Sequence, residues 1–208
     1  MNPMARIRVY TRRAAAGLVL AAGAALVAPG AAQETPRFTV DPVMARGPAT
    51  APVTIFEWSD YECPYCRNAQ ELLSRLQGEF PDAVRLVYKD FPLPSHPGAL
   101  PAASAARCAG AQGRYWEYHD LLFVAQPAFA RVDLIGYARR LGLDVGAFTA
   151  CLDSDRFREA ILADQREGRE AGVRGTPTLF INRRKIEGAP PLEELRAAVR
   201  RALGETGR

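Results

Sequence analysis

Two cysteines, Cys63 and Cys66, stand two residues apart in "SDYECPYCRNAQ", with Pro64 and Tyr65 between them. Cysteines at this spacing can form half of a zinc site, close a structural disulfide, or carry out thiol–disulfide exchange. A four-cysteine zinc site shows a second close pair. Here Cys108 and Cys151 are far apart, and His96 and His119 have no ligand-like spacing, so no metal is expected. Exchange requires a thiolate, whereas an ordinary cysteine loses its proton only near about pH 8.5. The unpaired N–H groups and dipole of a helix start favour the anion. With Cys63 at such a start, it is expected to be the exposed nucleophile. Cys66, one turn further in, is then the buried partner that resolves a mixed disulfide.

Three further positions bear on that chemistry. Glu57 lies six residues before Cys63 in an apolar stretch, where a buried carboxylate is costly without a partner or a task. Either its side chain reaches water at a strand end, or it accepts and relays the Cys66 proton with a raised pKa. Lys89 closes the neighbouring strand and is either the charge partner of Glu57 or a solvated strand end. Pro177 follows Thr176 in "GTPT", at a strand entry where proline removes a ladder donor. A trans bond there simply starts the strand. A cis bond would leave the preceding backbone groups free to pair with an extended peptide.

The elements needed to position these residues are legible on either side of them. "PVTIFEWSD" reads as a strand ending at the motif, and "CRNAQELLSRLQGEF" places Leu72, Leu73, Leu76 and Phe80 at helical spacing. Pro64 is acceptable in a first helical turn. "AVRLVYKDFPL" is a second strand, ended by "FPLPSHPG". Residues 100–172 carry apolar residues at threes and fours between Gly and Asp breaks, a run of four or so helices. "VRGTPTLFINRRKIEG" reads as two strands joined at "NRRK", and "PPLEELRAAVRRAL" as a closing amphipathic helix. Residues 33–52 read as a tether with one short strand at 37–40. This order describes an α/β sheet unit interrupted by a helical insertion, not two tandem domains.

Residues 1–32 have the basic, apolar, small-residue order of a secretory signal, with cleavage expected after Ala32. The alternative is a retained anchor, but the apolar run is short against the roughly 20 residues a spanning helix needs. Arg12 and Arg13 leave the export route open. The net charge of +4 equals the arginines at 6, 8, 12 and 13, and no acid precedes Glu34. The exported chain is therefore near neutral, which argues against a basic nucleic-acid groove. Its length suits one domain with an ample core.

Together, "EWSDYECPYC" and "GVRGTPTLFIN" resemble the thioredoxin superfamily. With the long helical stretch between them, the chain resembles the DsbA-like branch of exported thiol–disulfide oxidoreductases, over roughly residues 38–205. The resemblance implies an α/β thioredoxin fold with an inserted helical subdomain between the CxxC half and the cis-Pro half. Its division is signal peptide 1–32, N-terminal extension 33–50, first half 51–98, helical insertion 99–172, and second half 173–208. Cys63 is then the nucleophile, Cys66 the resolving thiol, Glu57 the buried acid and Thr176 with Pro177 the cis-Pro loop. Pro64 and Tyr65 join that loop as the surface met by substrate. No cofactor is implied beyond a redox-active Cys63–Cys66 disulfide. The implied partners are reduced or unfolded exported clients and a membrane or thiol partner for recycling, with the protein a periplasmic or extracytoplasmic monomer. Tyr65 replaces the histidine of the best-studied oxidases, and CPYC also resembles glutaredoxins. A reductase or isomerase, and a non-catalytic thiol or metal-binding chaperone, therefore remain as alternatives. In an oxidising compartment Cys108 and Cys151 are either a structural disulfide within the insertion or two buried apolar thiols. Trp58 and Trp116 are expected in the core or a groove wall, and His119 as a helix-surface or satisfied residue.

Overall fold

β-branched and aromatic residues at alternating positions form β2 (Val53–Ser59), and its two faces bury different sets of side chains. Val53 and Ile55 pack with Leu73 and Leu76 of α1 (Pro64–Glu79) and with Leu195 and Val199 of α7 (Leu192–Thr206). Trp58 points to the other side and packs with Phe91, Val173 and Phe180. The structure, a computed structural model, describes residues 37–206. The expected signal peptide, residues 1–32, lies outside them.

β3 (Val84–Asp90) pairs parallel to β2 after the α1 crossover, in the register Glu57↔Tyr88 and Ser59↔Asp90. β4 (Thr178–Ile181) pairs antiparallel to β2, and β5 (Arg184–Glu187) forms one edge. The other edge is β1 (Ala45–Arg46), antiparallel to β3, giving the order β1-β3-β2-β4-β5. The short strand expected at residues 37–40 is absent, and β1 lies further on. The Thr39 N–H is taken instead by the Glu167 carboxylate at 2.7 Å, so it cannot join a ladder.

Between β3 and β4 stand five helices, against the four or so expected. They are α2 (Ala99–Gly110), α3 (Tyr115–Ala125), α4 (Arg131–Arg140), α5 (Val145–Asp153) and α6 (Arg158–Glu170). Ala102, Ala103, Ala105, Ala106 and Ala109 are buried in α2, so neighbouring helices can approach it closely. Cys108 of α2 and Cys151 of α5 are joined by a disulfide across 43 residues. A loop of that size is worth about 4 kcal/mol in a chain-entropy account. The insertion is seated on the sheet by a buried charge cluster. Arg107 donates to Asp90 at 2.7 Å and to Asp164 at 2.6 Å, and Lys89 pairs with Asp164 and, at 2.8 Å, with Glu167. Gly168 of α6 lies flat against Trp58, where an added Cβ would come within 2.5 Å of the indole. Two units, β2–α1–β3 and β4–β5–α7, are thus separated in sequence by a helical block.

Candidate active site

β2 ends at Ser59, and after a three-residue loop Cys63 caps α1 in extended conformation (φ −74°, ψ 121°), with Pro64 opening the helix. Cys63 and Cys66 are both free thiols. Cys66 is fully buried and Cys63 is only 4% exposed, so the exposed nucleophile expected from the sequence is in fact recessed. The Thr176–Pro177 peptide, which is cis, lies across it, with the Thr176 carbonyl 3.5 Å from Cys63 Sγ. Pro64 and Tyr65 are exposed beside it, Tyr65 at 67%.

The two thiols have opposite electrostatics. The neighbouring Cys66 thiol and the N–H groups of Cys66 and Tyr65 at the helix start hold Cys63 down at about 5, against burial, which raises it. The Thr176 side chain lowers it as well, while the Thr176 carbonyl accepts from the neutral thiol. Cys66 is pushed well above the ordinary range, first by burial and then by the Cys63 sulfur and the Glu57 charge.

Glu57 lies on the α1 face of β2 and is fully buried. Burial pushes its carboxyl up to about 7, with Ser59 opposing only weakly. Neither Glu57 oxygen nor Ser59 Oγ makes a hydrogen bond of ordinary geometry among the described residues. The reading of Glu57 as a strand-end residue reaching water is therefore excluded.

Lys89 is not its partner. In the β2–β3 register Glu57 is beside Tyr88, and strand alternation sends Lys89 to the opposite face with Trp58. There Lys89 pairs with Asp164 and Glu167 and donates to Thr39 O and Oγ1 at 3.2 and 2.9 Å. It is no solvated strand end either, being 3% exposed.

Sequence reasoning also missed the setting of His119. It is fully buried among Tyr61, Tyr88, Tyr115, Trp116 and Phe123, not on a helix surface. Its Nδ1 meets Tyr61 Oη at 2.9 Å, and burial pushes its pKa well below the usual range, leaving it neutral. Trp58 is a core residue whose Nε1 donates to the Asp164 carbonyl at 2.9 Å. Trp116 is half-buried under the Arg46 guanidinium. Asp60, in the motif loop, and His96, after β3, also join at the site. Their only sequence signal is that two parallel neighbouring strands must end side by side.

A family model described as thioredoxin matches residues 39–201. Among solved structures, a thioredoxin-like oxidoreductase from Silicibacter pomeroyi is 30% identical, with a TM-score of 0.72 over 79% of this chain and 94% of that one. DsbA2 from Pseudomonas aeruginosa is 26% identical, with a TM-score of 0.65 over 78% and 95%. A Salinispora arenicola protein named Na(+)/H(+) antiporter NhaA 1 is 43% identical over 163 residues, covering 77% of this chain and 25% of that protein. The chain thus spans about a quarter of the length of such curated relatives. Among its described residues no helix is long and apolar enough to cross a membrane.

Proposed function

The chain belongs to the thioredoxin family, with the DsbA-like helical insertion in its α/β fold, and we propose that it is an exported oxidase that introduces disulfides into client proteins. The observation that carries this reading is the asymmetry of the pair: Cys63 is held down at about 5 at a helix start, while Cys66 is buried behind it and pushed up. A sulfur that is stable as an anion is a good leaving group, and its stability favours the reduced enzyme, which makes the disulfide form oxidising.

The steps balance as follows. In the oxidised enzyme a client thiolate attacks Cys63 Sγ. The Cys63–Cys66 bond breaks and its electron pair passes to Cys66. Glu57, whose carboxyl is held near about 7, gives a proton to that buried sulfur. A second client thiolate then attacks the client sulfur of the mixed disulfide and expels Cys63 as thiolate. The client gains a disulfide and the enzyme is left as the dithiol. In the reverse direction Glu57 takes the Cys66 proton, and Cys66 resolves a mixed disulfide on Cys63. A membrane oxidase or another thiol partner restores the enzyme disulfide. Thr176, Pro177, Pro64 and Tyr65 supply the surface a client meets. The signal-like residues 1–32 and the Cys108–Cys151 bond, which suits an oxidising compartment, support an exported, periplasmic or extracytoplasmic setting. The near-neutral exported chain fits a monomer that does not bind nucleic acid.

One observation favours the reductase or isomerase alternative. Tyr65 projects into solvent and supplies no charge to Cys63, unlike a histidine at that position. Redox titration separates the two readings: a potential above about −180 mV fits an oxidase, and one near about −270 mV a reductase. The central test is oxidation of a reduced, unfolded substrate by the purified protein lacking residues 1–32. Activity is expected and should vanish in Cys63→Ser; a variant that retains it would refute the mechanism.

A further inference from the structure

The loop carrying the cysteines is fastened by side chains that the exchange steps above do not use. The Asp60 carboxyl group is fully buried. Its Oδ1 accepts from the Glu62 N–H at 2.7 Å, and its Oδ2 accepts from the Leu93 N–H at 2.8 Å. The same Oδ2 lies 2.8 Å from His96 Nδ1. Facing an acceptor that already takes an N–H, Nδ1 is the donor. Two residues beyond Asp60, Glu62 Oε2 accepts from the Gly98 N–H at 2.6 Å. Both acids therefore grip residues 91–98, the segment that leaves β3 and enters α2. The parallel pairing places them there, because β2 and β3 end opposite each other at Ser59 and Asp90.

The main chain of Asp60 faces the sulfurs. Its N–H donates to Cys66 Sγ at 3.4 Å, and its carbonyl accepts from the Cys63 N–H at 3.1 Å. A single residue thus touches the entrance to the helical insertion with its side chain and both cysteines with its backbone. We infer that Asp60 and His96 form a positioning pair for thiol exchange, in which His96 holds the Asp60 carboxyl so that the Asp60 amide stays aimed at Cys66 Sγ. The inference rests on the exchange reading given above. When a client thiolate opens the enzyme disulfide, the electron pair of the broken S–S bond arrives on Cys66 Sγ. The Asp60 N–H is a fixed donor at the atom where that charge develops, and donors to charged acceptors are the strong ones. The His96 side chain is 23% exposed, so the pair also connects the buried sulfur to a surface position.

A plain loop staple would affect stability without moving the dithiol–disulfide equilibrium, and this separates the two roles. The purified protein, its disulfide insertion intact, is equilibrated in glutathione buffers and the reduced fraction is read by thiol alkylation and mass. In His96→Ala the equilibrium should shift about fivefold toward the disulfide, the effect of losing one modest hydrogen bond to the reduced form. His96→Asn, whose side-chain amide can donate in place of Nδ1, should return to within about twofold of wild type. Glu62→Gln, on the same loop but with no side-chain contact to either sulfur, should leave the equilibrium unchanged. If His96→Ala does not fold, Asp60→Asn carries the same expected shift. Equal equilibria in wild type and His96→Ala, or a shift that His96→Asn fails to reverse, would overturn the assignment. A wild-type pair that does not exchange with glutathione at all overturns the exchange reading, and this one with it.

Discussion

The two faces of the β2–β3 strand pair bury charge in opposite ways. On the α6 face, Lys89, Arg107, Asp164 and Glu167 satisfy one another, joined at the end of β3 by Asp90 through Arg107, and Thr39 is drawn in to complete the shell of Lys89. On the α1 face, Glu57 has no hydrogen bond of ordinary geometry among the described residues. Taking a charge out of water costs several kcal/mol wherever it is done. The α6 face offsets that cost with geometry and gains a seat for the helical insertion. The α1 face leaves it standing, and the result is a carboxyl poised near about 7 close to Cys66. A paired cluster holds the fold, whereas an unpaired one is ready to move a proton.

The largest effect should come from breaking the satisfied side. Arg107→Ala strips Asp90 and Asp164 of their shared partner and should cost about 3–5 kcal/mol in denaturant unfolding. Burial and the Asp90 charge already push Asp164 up to about 6 even with Lys89 and Arg107 beside it. Exchange by the remaining folded protein should be unchanged. A loss below about 1 kcal/mol would mean that the cluster does not seat the insertion.

The unsatisfied side predicts the reverse sign. The folded-state pKa of Glu57 is about 7, above its ordinary value of 4.5. Its contribution to stability is therefore full below that ordinary value and is lost as pH rises through about 7. Glu57→Gln should remove this pH dependence, so the variant gains about 3 kcal/mol on wild type between pH 4.5 and well above 7. Paired denaturant curves at pH 4.5 and 8.5 test the difference, and parallel behaviour would mean that Glu57 is not buried as a neutral acid. The same variant should slow exchange, the opposite of its stabilising effect.

The smallest change in stability is expected at Tyr65, which touches the chemistry from outside. Tyr65→His should move unfolding by less than about 0.5 kcal/mol, since the side chain is exposed. The pH midpoint of Cys63 alkylation, expected at about 5 in wild type, should fall by about one unit as an imidazolium approaches the thiolate. An unmoved midpoint would place the lowering of the Cys63 pKa entirely in the groups already around it.

Much of this was readable in the sequence wherever the signal is local. A strand running into CxxC and then a helical apolar pattern places Cys63 at a helix start without knowledge of anything distant. Glu57 announces itself as a charge in an apolar strand. Lys89 shows where such reading stops. Its composition and neighbours suit a partner for Glu57, but the β2–β3 register puts Glu57 beside Tyr88, and one residue along a strand reverses the face. His119 is not the surface residue that its helix alone suggests, because the side chains burying it come from the motif loop and β3 as well as its own helix, and Tyr61 supplies the partner of its Nδ1. Asp60 and His96 stand 36 residues apart and meet only because their strands end together. Counting the insertion helices was harder still, since α4 and α5 are separated by a short turn in which Gly142 takes a left-handed conformation.

Gly168 closes the account of how the two parts of the molecule meet. The strand that delivers the cysteines and the helix that ends the insertion touch at Trp58, and the fit requires that position 168 carry no side chain. Apart from Asp164 and Glu167, which hold the charge cluster, the exposed positions of α6 can vary without disturbing that contact. A single added carbon cannot be accommodated unless the indole ring itself moves, and with it the strand that ends at the thiols. The insertion is free to diverge over most of its surface, yet its seating against the catalytic strand has a tolerance of less than one methyl group.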